Sequence, residues 1–420
     1  MKKFKFAFKK FFLFQDKYPA FYYKKRMVIF CYGKFITLSK RSKCQIKFPK
    51  LIIKSKKFVP EEPIITFITT KRCSMRCIYC SVRGGESSID LSFDNAKFLI
   101  DKVCYPNQKI KKLHVIFFGG EPTLSIRLIE NLIFYINSKK IPADYSLSTN
   151  GILSKIVIDF LKMHNFVVNL SFDGLPSIQN YLRPLANGGK SYAIVENTIR
   201  EFVKRKIIFK VRTTITNNSI NQMLPFLKRL EHLGVKTIHF EPLNICGRAS
   251  DDEKENLKLP ALSYYMKAYR KCIDFAAKKN IEIVNGVYDN LFSPNNDYCS
   301  AATGQKIVLT PNGLITRCYE VQEEGSNEEN RFIIGRISKN ELKIHLKKQA
   351  KLENIINRNR SYCKKCFAKY ICSGGCTIRT FRHILNPRID LSYRCNLAKE
   401  IIADAILRLW SIGGKAVIFY

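Results

Sequence analysis

Cys73, Cys77 and Cys80 fall within eight residues, CSMRCIYC. Three thiolates at this spacing can each hold one iron of a cubane iron–sulfur cluster, leaving the fourth iron without a local protein ligand. An open iron suits a cluster that binds substrate, whereas an electron carrier is normally fully ligated. A zinc site lacking one local ligand is the alternative reading of the three cysteines alone. Downstream, FFGGEP (117–122) brings two glycines, an acid and a proline together. Gly119 and Gly120 let backbone approach a ligand closely. The carbonyls here, with Glu121 ahead of Pro122, can accept hydrogen bonds from an ammonium group.

Cys299, Cys318, Cys363, Cys366, Cys372, Cys376 and Cys395 form a second pattern, with Cys-x2-Cys-x5-Cys-x3-Cys at its centre. Seven soft ligands are one short of two four-thiolate clusters. Zinc is again the alternative, because Cys-x2-Cys pairs recur in zinc ribbons. The two patterns take ten of the fifteen cysteines; Cys31, Cys44, Cys104, Cys246 and Cys272 are scattered and read as small core residues. Lys9 and Lys10 interrupt the basic, aromatic start before an apolar h-region forms, which argues against a secretory signal. No apolar run reaches the ~20 residues that span a bilayer. A cytoplasmic, reducing setting is therefore expected, where clustered cysteines serve as ligands rather than disulfides.

Elements must hold these cysteines in place. IITFITT (64–70) reads as a buried strand directly before CSMRCIYC. SFDNAKFLIDKV (92–103) has apolar residues at helical spacing, with Ser92 as N-cap. Strands follow at 112–118, 144–149, 167–172, 209–216 and 236–242, alternating with helices near 124–136, 154–164, 191–205 and 220–233. Six β/α units in series predict an α/β fold, a partial (β/α)6 barrel of parallel strands. Six units are too few for the closed eight-stranded barrel. Residues 1–60 form a basic accessory region with short strands around Gly33, 61–250 the barrel, and 251–298 a linker with a helix near 261–279. Residues 299–400 form a small turn-rich, cysteine-rich domain, followed by a C-terminal segment, 401–420.

CSMRCIYC and GGEP together resemble the cluster and methionine-amino motifs of the radical SAM superfamily, over roughly 64–245. The resemblance implies that the open iron of a [4Fe-4S] cluster is chelated by the amino and carboxylate groups of S-adenosylmethionine. One electron then cleaves the sulfonium and yields a 5′-deoxyadenosyl radical, which abstracts hydrogen from substrate. It places Tyr79 by the adenine. It makes Ser148 and Asn150 of STNG, and Ser171 and Asp173 of SFDG, candidates for ribose or carboxylate contacts; ordinary turn chemistry is the alternative for each. It also implies an external electron donor such as ferredoxin or flavodoxin.

The second pattern resembles the SPASM domain, the auxiliary-cluster domain of peptide-modifying radical SAM enzymes. By that resemblance Cys363, Cys366, Cys372 and Cys395 hold a distal cluster, and Cys299, Cys318 and Cys376 a proximal one, for three clusters in all. Relatives that fully ligate the proximal cluster carry one more cysteine just upstream, and VYDNLFSPNNDY (287–298) has none. The site is open, or a remote residue such as Cys246 or Cys272 completes it. Anaerobic sulfatase-maturating enzymes share the architecture, but an Asp follows their second cysteine where this chain has Tyr319 and then Glu320. The expected substrate is thus a peptide or protein, as for maturases of ribosomally made peptides that form thioethers or other crosslinks.

The formal charge is +38, and residues 1–60 alone hold 18 Lys/Arg against one acid, Asp16. This suits an acidic peptide, nucleic acid or anionic lipid, or is simply a solvated surface. RNA as substrate would fit the charge, but no RNP-like aromatic motif or zinc finger accompanies it. A non-catalytic binding module would leave the pairing of CSMRCIYC with GGEP unexplained.

Overall fold

The computed structural model describes most of residues 61–411 and, ahead of them, residues 11–14, 18–23, 26–32 and 35–38. Outside the described set within 61–411 lie 106–109, 252–255, 289, 295–297, 302–303, 326–329, 340, 362, 380–381 and 383–390. Gly33, Cys44 and the end of the C-terminal segment, 412–420, also lie outside it.

Four short strands, β1 (Phe11–Phe14), β2 (Tyr18–Tyr23), β3 (Arg26–Phe30) and β4 (Phe35–Leu38), make an antiparallel meander. Its aromatic residues pack on the cysteine-rich region: Phe11 lies 5.0 Å from Phe367, ring to ring, and Phe21 lies 6.3 Å from Trp410.

The main sheet begins at β5 (Ile64–Thr70), a β-branched run buried along almost its whole length. Parallel strands β6 (Leu113–Gly119), β7 (Ala143–Thr149), β8 (Val167–Ser171), β9 (Ile208–Ile215) and β10 (Thr237–Pro242) follow in order. Helices α1 (Phe93–Cys104), α2 (Ile126–Ser138), α3 (Lys155–Met163), α4 (Pro176–Leu182), α5 (Tyr192–Lys204) and α6 (Met223–His232) separate them. Ser92 caps α1 through Asn95 N–H, as its position before the apolar repeat predicts. The partial barrel of six parallel strands is thus observed, each boundary within about two residues of the periodicity. Burial alternates along β6, β7 and β9. One set, such as Val115, Phe117 and Leu147, is buried beneath the helices. The other faces the barrel interior.

The sheet continues past the barrel on both sides. α7 (Leu262–Lys279) leads to β11 (Glu282–Val284), a seventh parallel strand beside β10 within the expected linker. On the other edge β12 (Lys306–Leu309) pairs parallel with β5. It continues antiparallel into β13 (Leu314–Thr316), β14 (Ile333–Ser338) and β15 (Glu341–Ile344). The cysteine-rich region therefore shares one eleven-stranded sheet with the barrel. The helix Leu391–Ser411 folds back on α7, where Arg270 bonds Glu400 and Asp404 at 2.8 Å each.

Between α5 and α6, Arg229, Arg200 and Tyr192 all donate to Glu196. These bonds outweigh burial and hold its carboxyl near 2, against an ordinary 4.5. A depressed carboxylate stabilises the fold fully above about pH 4.5, and the contribution fades as pH falls towards 2. Glu196→Gln should lower stability near neutral pH by roughly 1–2 kcal/mol, allowing for partial solvent screening. The difference should shrink on acidification, as measured by thermal unfolding of both proteins over that range; a constant difference would contradict the linkage.

Candidate active site

The cluster loop leaves β5 at Lys71 and is pinned at its middle. Arg76 N–H donates to Pro184 O at 2.9 Å, and Ile78 N–H to Leu182 O at 3.0 Å. Backbone donors reach two of the sulfurs: Met75 N–H to Cys73 Sγ at 3.5 Å, and Gly84 N–H to Cys80 Sγ at 3.3 Å. Asn150 Nδ2 lies 3.7 Å from Cys73 Sγ. Such donors favour thiolate sulfur and tune a cluster held by it. Burial pushes the Cys77 thiol up to about 12, with Arg183 pulling it down. A metal must therefore displace that proton as it binds. Among the described residues no three His, Cys, Asp or Glu side chains close on one point as a single ion requires. Cys73, Cys77 and Cys80 instead share the wall of a cavity of about 180 Å3. A donor set of three thiols around such a space fits the soft ligands of an iron–sulfur cluster.

Gly119, Gly120, Ser148, Asn150, Ser171 and Tyr79 line the same cavity. The glycines serve the chain before any ligand. Gly119 has φ +152°, and a Cβ there would strike Thr70 O. A Cβ at Gly120 would strike Arg72 O, so the end of β6 can lie against the cluster loop only without side chains. Gly120 N–H donates to Thr70 O, and Glu121 N–H to Arg72 O, both at 2.8 Å.

Glu121, Pro122 and Asp173 are not part of the cavity lining. Glu121 is wholly buried. Its Oε1 accepts from Thr123 Oγ1 at 2.7 Å, Thr149 Oγ1 at 2.8 Å and Thr123 N–H at 3.3 Å. Its Oε2 accepts from Asn150 N–H at 2.7 Å. The carboxylate expected to meet an ammonium group thus ties the end of β6 to the end of β7. Pro122 opens the 3-10 turn Pro122–Ser125 that Glu121 caps. Asp173 Oδ1 accepts from Thr214 N–H at 2.9 Å, and its Oδ2 accepts from the Tyr79 hydroxyl. Arg183 donates to that hydroxyl at 2.8 Å. Tyr79 therefore presents a ring to the cavity while its oxygen locks the cluster loop to β8. Spacing along a strand end does not fix side-chain direction, so these protein contacts of Glu121, Asp173 and Tyr79 could not be read from the sequence.

Polar lumen residues were not singled out from the sequence: Asn169 on β8, Arg212 and Thr214 on β9, and Glu241 on β10. Their signal was present as polar residues at alternate positions of parallel strands, where both faces are ordinarily apolar. Arg379 and Arg394 hold Glu241 well below the ordinary carboxylate range. Arg379 and Arg382 also lower the Glu320 carboxyl from its ordinary value.

The other seven cysteines divide into two sets. Cys363, Cys366, Cys372 and Cys395 line one cavity, whose wall Cys376 also reaches, and these four interact electrostatically with one another. Cys299, Cys318 and Cys376 line another, of about 360 Å3, and are coupled likewise. Neither Cys246 nor Cys272 lines that second cavity. Cys246 accepts from Asn244 Nδ2 at 2.9 Å and faces Arg382, and Cys272 is wholly buried on α7. The cavities of the first loop and of Cys299, Cys318 and Cys376 lie side by side, with Ser148, Asn169, Arg212, Tyr319 and Glu320 lining both.

Residues 67–240 match the family model described as the Radical SAM superfamily. The chain carries a radical SAM domain. The radical SAM domain spans all six barrel strands, and family membership implies one [4Fe-4S] cluster and S-adenosylmethionine. An uncharacterised protein of Methanocaldococcus jannaschii is 28% identical over 254 residues, covering 59% of this chain and 82% of that protein. A cysteine-type anaerobic sulfatase-maturating enzyme of Clostridium perfringens is 24% identical over 370 residues, covering 82% and 96%. Native anSMEcpe with bound AdoMet and Cp18Cys peptide superposes with TM-score 0.66 at 21% identity, over 84% of this chain and 98% of that one. Streptococcus suis SuiB bound to precursor peptide SuiA gives 0.55 at 16%, over 77% and 73%. Both structures share the fold of this radical SAM enzyme. Among its described residues, no helix is long and apolar enough to cross a membrane.

Proposed function

We propose that this radical SAM enzyme modifies a peptide or protein in the cytoplasm, with one cofactor cluster and two auxiliary clusters. The observation that carries the reading is that the cavity of the three-cysteine loop and the cavity of Cys299, Cys318 and Cys376 adjoin, with lining residues in common. Cys73, Cys77 and Cys80 would hold the cluster that binds S-adenosylmethionine; together these supply the 5′-deoxyadenosyl radical. Ser148, Asn150 and Ser171 would orient the cofactor, with Gly119 and Gly120 beside it. Cys363, Cys366, Cys372 and Cys395 would hold the distal auxiliary cluster. The proximal set has three thiols, and a substrate thiolate would suit the remaining position, which would favour thioether formation. A small donor such as ferredoxin or flavodoxin would supply electrons, and the basic residues 1–60 would attract an acidic leader segment.

Structures with bound peptides among the neighbours, and the sulfatase-maturating names of the relatives, support a peptide substrate. Maturation of a sulfatase is the second reading, favoured by those names. Against it, Tyr319 follows Cys318, and Glu320 is held ionised by Arg379 and Arg382, which makes it a poor proton acceptor.

Anaerobic reconstitution should load about twelve irons per chain, four for each of three cubanes. Replacing Cys363, Cys366, Cys372 and Cys395 by serine should remove about four. Reduced enzyme with S-adenosylmethionine should then change the mass of a short peptide encoded beside its gene. Iron near four per chain, or stoichiometric zinc, would refute the auxiliary clusters. Cofactor cleavage that leaves every such peptide and every sulfatase peptide unchanged would refute the peptide reading.

A further inference from the structure

The barrel interior below the cluster loop is polar where a packed barrel would be apolar. Thr66, Ser146, Asn169, Lys210 and His239 line the inner part of the cavity of about 360 Å3. Thr66 is wholly buried, and its Oγ1 has no hydrogen-bond partner among the described residues. A buried hydroxyl left unpaired costs free energy until something bonds it. Lys210 projects into the same space, and among the described residues no acid pairs with it.

The other charges around this cavity are already committed. Glu241 is paired with Arg379, Arg394 and His239, and Glu320 with Arg379 and Arg382. Arg317 donates to Gly304 O. Lys306 stands by the Cys299 and Cys318 thiols, its Nζ 5.2 Å from the centre of the Tyr319 ring. Arg212 is hydrogen-bonded to Tyr319. Lys210 lies one pleat below Arg212 on β9, and among the described residues neither an ion pair nor a hydrogen bond engages its ammonium group. A lone cation in a half-buried polar cavity attracts an anion far more strongly than it would in bulk water.

We propose that this floor, with Lys210 as its charged centre and Thr66, Ser146 and Asn169 as neutral partners, binds a carboxylate of the substrate. The inference rests on the peptide reading above and adds a specificity to it. The accepted substrate places an acidic side chain or its carboxyl terminus down the barrel, which sets the reacting residue one layer higher, beside the cofactor cavity. Lys210 is a positioning residue in this arrangement.

The test uses reconstituted holoenzyme with S-adenosylmethionine and no reductant, so binding is read without turnover and separately from whether any peptide is modified. Three probes are titrated by ligand-observed NMR: N-acetylglutamate α-amide, N-acetylglutamine with a free α-carboxylate, and neutral N-acetylglutaminamide. At least one charged probe should bind about tenfold or more tightly than the neutral one, and which one does identifies the source of the carboxylate. Lys210→Met should erase the preference and Lys210→Arg should keep it, with iron content and melting temperature confirming that each variant is folded. Equal binding of all three probes by the unmodified enzyme overturns the proposal, whatever the variants do. So does a folded Lys210→Met protein that keeps the preference.

Discussion

Replacing Cys73, Cys77 and Cys80 together by alanine should abolish release of 5′-deoxyadenosine while leaving about two thirds of the iron in place. The loop should survive the change, because its position depends on backbone bonds to Leu182 and Pro184 rather than on the sulfurs. The auxiliary cysteines lie on other elements and line other cavities, so their iron should stay. Chromatography of the reduced reaction, with iron analysis and thermal unfolding of the same samples, reads all three quantities. Equal cleavage by wild type and triple variant would end the radical reading. Loss of all iron would show that the three sites assemble as a unit.

Glu121→Ala should destabilise the fold by roughly 3–5 kcal/mol, because it strands four buried donors at once. Those donors are Thr123 N–H and Oγ1, Thr149 Oγ1 and Asn150 N–H. With the link between β6 and β7 cut, Asn150 should lose its place beside Cys73, and iron loading at the first loop should fall more than loading elsewhere. Glu121→Gln should be damaging too, since an amide turns donors towards donors. Thermal unfolding and site-selective iron loss distinguish this role from direct cofactor contact. A variant with unchanged melting temperature but weakened S-adenosylmethionine binding would restore the direct contact.

The barrel was legible because its signals are long and periodic. Strands such as IITFITT and LHVIFFG have burial patterns that their residues dictate, and Ser92 marks a helix start by its own chemistry. The clustered cysteines were legible because their spacing is largely local. Short strands were not: Glu282–Val284 and Leu314–Thr316 have three residues each, too few to show a period. The helix Pro176–Leu182 was hidden inside SFDGLPSIQNYLRP, where glycine and proline suggest a loop. The roles of Glu121 and Asp173 depend on partners more than 25 residues away, Asn150 and Tyr79, which no local pattern encodes.

The pairing of β12 with β5 has a consequence for synthesis. Ile64 lies against Lys306, about 240 residues later in the chain. At about 5–20 residues per second, the ribosome needs on the order of ten to fifty seconds to deliver the partner strand. Throughout that interval β5 presents an unpaired, β-branched edge with the cysteine loop at its tip, the kind of template on which chains aggregate. Ribosome-bound fragments ending before residue 300 should therefore be the aggregation-prone species, and yield of soluble protein should depend on how quickly translation carries the chain past β12.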